Sequence, residues 1–121
     1  MNTVSSTPSV RAAQVVTPEL IDAFARDGAV CLRGLLNADE VALLRAGIDA
    51  NIAAPSPRAK VASRADDPGF FIEDFCNWQD IPQFGRFVRE TPLALVAQRL
   101  MQSRTVRLYH DHVLVKEPGT D

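Results

Sequence analysis

Cysteine is scarce in this chain. Cys31 and Cys76 are the only two, too few and too far apart for a disulfide framework or a Cys-x-x-Cys zinc site. Both are expected as buried thiols in a reducing, cytoplasmic setting. Excess positive charge is also lacking: 13 Lys and Arg stand against 15 Asp and Glu, for a formal net charge of -2. Nothing there draws in a nucleic-acid backbone. No apolar run nears the roughly 20 residues needed to cross a bilayer, so no membrane partner is expected. A glycine-rich phosphate loop is missing, as is a serine in the setting of a nucleophile elbow, and neither cysteine has a histidine beside it in sequence. Residues 1–16 hold no acidic side chain and no apolar signal core, which argues against a secretory leader. Arg11 alone is too little for a transit peptide, and a flexible tail over 1–16 is the expectation.

What is present is ordinary globular composition, 46% hydrophobic and 23% charged, in a length that suits one domain. Thr17-Pro18 opens a helix, the threonine as cap and the proline at a position where its missing N–H costs nothing. Leu20, Ile21 and Phe24 give that helix an apolar stripe, and Gly28 ends it. Residues 29–33 read as a short buried strand closed by Gly34. Asn37 and Glu40 have capping-box spacing, and the helix they start carries Val41, Leu43, Leu44, Ile48 and Ile52 at helical intervals. Between 53 and 69 the pattern dissolves into Pro55, Pro57, Pro68 and scattered charge, a long loop of the kind that forms lids or mobile segments. Residues 70–75 resume as an aromatic-rich strand. Ile81-Pro82 starts a helix with Phe84, Phe87 and Val88, Thr91-Pro92 starts another with Leu93, Val96, Ala97 and Leu100, and a final strand covers about 105–115. The class is α+β, without βαβ regularity.

The final strand holds the chemistry-bearing residues. Side chains alternate faces along a strand, so His110, His112, Leu114 and Lys116 share one face while Asp111, Val113 and Val115 share the other. His110-Asp-His112 therefore does not present three metal ligands together. His110 and His112 can both reach one metal ion as neutral imidazoles; equally, each can be hydrogen-bonded in a half-polar core or exposed at a strand edge. Lys116 lies on the face of Leu108 and Leu114 just before the Pro118-Gly119 turn, a point charge suited to a small carboxylate. A solvated lysine that blocks edge pairing is the competing reading. Glu73 and Asp74 are adjacent and so point apart, which excludes a general acid/base pair. Trp78 with Phe70, Phe71 and Phe75 reads as core, and Asp66-Asp67 as a solvated turn.

Several segments together resemble the phytanoyl-CoA dioxygenase family: Asp27-Gly-Ala-Val-Cys-Leu-Arg-Gly-Leu-Leu36, then Asp39-Glu-Val-Ala-Leu-Leu-Arg45, Phe70-Phe-Ile-Glu-Asp74 with Trp78, Thr91-Pro-Leu-Ala94, and Val106-Arg-Leu-Tyr-His-Asp-His-Val-Leu-Val-Lys-Glu-Pro-Gly-Thr120. The resemblance covers about 18–120. It implies a non-haem iron, 2-oxoglutarate-dependent oxygenase on a double-stranded β-helix of jelly-roll or cupin type, with a facial triad of two histidines and a carboxylate. It places the first two ligands in a His-x-Asp motif shortly after the Lys-Glu-Pro-Gly turn, and such a motif occurs nowhere in these 121 residues. The one role it carries over is Lys116, as a residue that helps hold 2-oxoglutarate. The expectation is a truncated member: residues 17–121 as helical cover and first strands of an incomplete barrel, catalytically silent alone. Fe(II), 2-oxoglutarate and a small organic or acyl substrate would then belong to the intact protein. An unpaired strand over 105–115 would favour self-association. The alternative is a self-contained α+β module that binds an anion or a metal without catalysis.

Overall fold

The computed structural model describes residues 7–120. Over these the chain forms five helices and one three-stranded antiparallel sheet, and it divides into two compact units, Met1–Val41 with Arg86–Arg107 and Ala42–Gly85 with Leu108–Asp121.

The first unit is helical. Residues 8–15, expected within a flexible tail, form helix α1 (Pro8–Val15); residues 1–6 lie outside the described residues. Two observations account for the difference. Ala12 and Val16 are buried in an apolar cluster with Leu35, Val96 and Leu100, and tertiary burial orders a segment whose own helix signal is weak. Arg11, meanwhile, donates to the Leu35 carbonyl at 3.3 Å and grips Glu40 with both terminal nitrogens. The Glu40 carboxyl is held below its ordinary range, first by that hydrogen bond, against the cost of burial.

Helix α2 (Pro18–Asp27) has the predicted ends. Thr17 Oγ1 accepts from the Leu20 N–H at 3.3 Å, and Gly28 closes the helix with φ 75°, its N–H bonded to the Phe24 carbonyl at 2.9 Å. The strand expected over 29–33 does not form. Val30 and Leu32 turn toward the apolar cluster while Cys31 and Arg33 face outward, so the period of two is real. A strand needs a neighbour to bond, and among the described residues this stretch has none. Helix α3 (Ala38–Ala53) starts at the capping box: Asn37 Oδ1 accepts the Glu40 N–H, and Glu40 Oε2 accepts the Asn37 N–H, both at 2.9 Å.

The second unit holds the sheet, β1 (Lys60–Val61), β2 (Phe71–Phe75) and β3 (His112–Lys116), in the order β1-β2-β3. In the register, Phe71 faces Lys116, Glu73 faces both Leu114 and Lys60, and Phe75 faces His112. The predicted final strand is thus shorter, because among the described residues 105–110 has no ladder partner and the regular pairing with β2 covers 112–116. The stripe expected on α3 shifts as well. Its buried positions here are Gly47 and Asn51, while Val41 is exposed. Gly47 is required by close approach: a Cβ there would stand 2.6 Å from the Phe84 ring, Phe84 belonging to helix α4 (Pro82–Glu90). Helix α5 (Leu93–Leu100), in the first unit, begins after Thr91-Pro92. Thr91 does not cap it; its hydroxyl donates back to the Phe87 carbonyl at 2.7 Å.

Candidate functional site

The two faces of the sheet differ in kind. On β2, Ile72 and Asp74 are buried, whereas Phe71, Glu73 and Phe75 are half-buried. On β3 the outward set is His112, Leu114 and Lys116, with Leu114 56% exposed. The parity read from sequence is the one observed within β3, with two corrections. The face bearing Lys116, expected to line an apolar pocket, lies open. His110 falls before β3, so alternation does not align it with His112; it is exposed and meets the Tyr109 ring edge-on at 5.3 Å.

On the open face, Lys116 Nζ stands 5.5 Å from the centre of the Phe71 ring. Among the described residues it has no carboxylate partner. The other lysine, Lys60, stands 3.8 Å from Glu73 Oε1, and Glu73 Oε2 is 3.3 Å from His112 Nε2. His112 also packs edge-on against Phe75, with ring centroids 5.7 Å apart. One side of this face is therefore an engaged charge cluster and the other an available cation.

The covered face is organised by Asp74, 1% exposed. Its Oδ1 accepts from Ser56 Oγ at 2.6 Å and the Phe75 N–H at 2.8 Å; its Oδ2 accepts from Asn51 Nδ2 at 2.8 Å and the Ser56 N–H at 2.7 Å. Burial pushes this carboxyl upward, but the donors from Ser56, Asn51 and Asn77 outweigh it and hold the group well below the usual carboxylate range. Arg58 clamps the turn that follows β2, donating to the Phe75 carbonyl at 3.0 Å, the Cys76 carbonyl at 3.2 Å and Asn77 Oδ1 at 2.8 Å. The 53–69 loop, expected as a lid or mobile segment, is thus anchored at Ser56 and Arg58 and contributes β1. Asp111 serves the same turn, its carboxylate accepting from the Asn77 and Trp78 N–H groups at 3.1 and 3.3 Å. Cys76, with φ 62°, is exposed there, and Cys31 is exposed as well; the expectation of two buried thiols does not hold.

Asn51, Ser56, Arg58 and Asn77 were not legible as a network in the sequence. The one available signal was Asn51 itself, a polar residue four positions after Gly47, on the same line of its helix.

The histidine and carboxylate geometry does not fit an iron centre. Asp111 is committed to backbone donors on the face opposite His112, and among the described residues no group of three or more His, Cys, Asp or Glu is placed to hold a metal ion. A small carboxylate such as 2-oxoglutarate fits Lys116, the available cation beside an aromatic ring.

An antiparallel sheet packed on one face and open on the other, together with a helical unit, defines an α+β class. Residues 24–121 match the family described as Phytanoyl-CoA dioxygenase (PhyH). The chain belongs to that family of iron- and 2-oxoglutarate-dependent-type oxygenases, and the match is consistent with an N-terminal portion of it. No curated protein and no solved structure matches the chain. Among the described residues no helix is long and apolar enough to cross a membrane.

Proposed function

We propose that residues 17–121 are the N-terminal part of a non-haem iron, 2-oxoglutarate-dependent dioxygenase, the helical cover and first strands of a double-stranded β-helix. The parent enzyme would hydroxylate a small organic or acyl substrate in the cytoplasm. The observation that carries this reading is the asymmetry of the sheet. Its covered face is closed by the Asp74 network, while its open face presents Lys116 to whatever comes to lie on it. In the intact enzyme, dioxygen would be the oxidant, iron would activate it, and 2-oxoglutarate would supply two of the electrons that reduce it. The share of the present residues is narrower: Lys116 pairs with a carboxylate of 2-oxoglutarate, and Phe71 beside it limits how far the lysine side chain can wander. Iron ligation is no part of that share.

The edge of β3 supports a second element of the proposal. Rungs at Phe70/Glu117 and Cys76/Asp111 leave the backbone groups of His112, Leu114 and Lys116 directed away from β2. With Leu108, Tyr109 and Leu114 exposed nearby, the isolated chain would self-associate through 105–115.

The proposal predicts that the 121-residue chain is catalytically silent. Anaerobic titration with Fe(II) and 2-oxoglutarate should give no visible metal-to-ligand charge-transfer band. A band developing with stoichiometric iron would overturn it.

A further inference from the structure

Beyond Lys116 itself, the end of β3 is locked to the end of the 53–69 loop by contacts that no packing requirement of the core explains. The Glu117 N–H donates to the Phe70 carbonyl at 2.9 Å, and Glu117 Oε2 accepts the Phe70 N–H at 3.1 Å, so one residue satisfies both backbone groups of Phe70. Two glycines allow the approach. A Cβ on Gly69 would stand 2.3 Å from the Pro118 carbonyl oxygen and 3.1 Å from that of Glu117, and a Cβ on Gly119 would stand 2.5 Å from Pro68 Cγ. Gly119 also has φ 88°, the value a type II turn with proline ahead of it requires, and Thr120 Oγ1 closes that turn onto the Glu117 carbonyl at 2.9 Å. The next pair inward is Phe71 with Lys116, the cation and the ring beside it.

We infer that Glu117, with Gly69 and Gly119, is a positioning device for Lys116: the bracket fixes the last rung of the β2–β3 ladder, and thereby the place from which the ammonium reaches a dicarboxylate. This rests on the proposed role of Lys116 in holding 2-oxoglutarate. Glu117 does not touch the ligand. It acts by fixing the backbone on either side of the Phe71/Lys116 pair, so the lysine's rotamers are searched from one origin rather than several.

The chain has only two lysines, Lys60 and Lys116, which makes the test direct. With 13C-lysine label, the two ε-methylene signals can be followed by NMR during titration with 2-oxoglutarate, Lys60 in its Glu73 pair serving as internal reference. The Lys116 signal should shift saturably in the parent chain. Glu117→Ala should weaken that response about fivefold, the scale of one lost hydrogen bond, and Glu117→Gln, which keeps an acceptor, should restore most of it. The Lys60 signal and the amide shifts of Glu73, Asp74 and Phe75 should stay in place throughout, while the Phe70 amide moves with its lost acceptor; a general loosening of the sheet would move them all. Gly69→Ala should weaken the response further. A parent chain whose Lys116 signal ignores 2-oxoglutarate overturns the reading of the site and the bracket with it. A responsive parent with an equally responsive Glu117→Ala chain overturns the bracket alone, as does a Glu117→Gln chain no better than Glu117→Ala. Should Gly69→Ala fail to fold, the Glu117 pair decides.

Discussion

Glu73 and Asp74 are neighbours on one strand with the same functional group and opposite fates. Asp74 turns to the covered face, where four hydrogen bonds within 2.8 Å saturate it. Glu73 turns to the open face and meets Lys60 at 3.8 Å and His112 at 3.3 Å. The lesson is that burial, not residue type, assigns the role. A carboxylate taken out of water is retained only where donors replace the water, and the same donors make it structural. Its neighbour keeps part of its solvent and pairs with charged side chains across the open face. The face with Asp74 holds the sheet together; the face with Glu73 and Lys116 is where a ligand can lie.

The sharpest way to break this contrast is Asp74→Asn. It would turn an amide N–H₂ toward donors that now point at a carboxylate, and should cost about 3 kcal/mol in urea unfolding. Glu73→Gln should cost about 0.5 kcal/mol, since its partners are partly solvated. Equal costs would mean that the two faces do not differ as described.

A smaller effect comes with acid. The Asp74 carboxyl is depressed in the folded chain from an ordinary value of 3.8, so below that pH the unfolded state binds a proton that the folded state still refuses. Its stabilisation is fully present above the ordinary carboxylate range and is lost as pH falls toward the folded value. The contribution to the slope is at most one proton, about 1.4 kcal/mol per pH unit. Unfolding free energies measured from pH 5 downward should therefore fall less steeply for Asp74→Asn than for the parent. Parallel curves would remove Asp74 from the acid response.

An effect on stability as small as that of Glu73→Gln belongs to the residue of greatest functional interest. Lys116→Ala gives up one exposed cation–π contact, about 0.5 kcal/mol, and should leave the unfolding midpoint nearly unchanged. A loss comparable to that of Asp74→Asn would make Lys116 a structural residue and merge the two faces.

The local signals were readable because they are settled within a few residues. Thr17 as cap, Gly28 as stop and the Asn37/Glu40 capping box depend on backbone groups three or four positions away, and all stand as read. The alternation that separates Asp111 from His112 is a property of any strand. Features that depend on distant partners were not readable in the same way. Among the described residues 29–33 have a strand's alternation and no neighbour to bond, and 105–110 lacks one too. Helix α1 looked like a tail because its order comes from Val96, Leu100 and Glu40, far along the chain. The thiols of Cys31 and Cys76 came out exposed for the same reason: the side on which each falls is set by what packs opposite.

By itself the sequence determined the helix caps at Thr17, Gly28 and Asn37, the family and the strand parity that puts Lys116 and Asp111 on opposite faces, because each rests on local spacing or on an ordered set of motifs. Only the tertiary structure decided which face is covered. It brought Asn51, Ser56 and Asn77 around Asp74, committed Asp111 to a turn instead of a metal, and set Glu117 and two glycines beside Lys116. Those outcomes depend on which donors and atoms arrive from elsewhere in the chain, and no local pattern encodes that arrival.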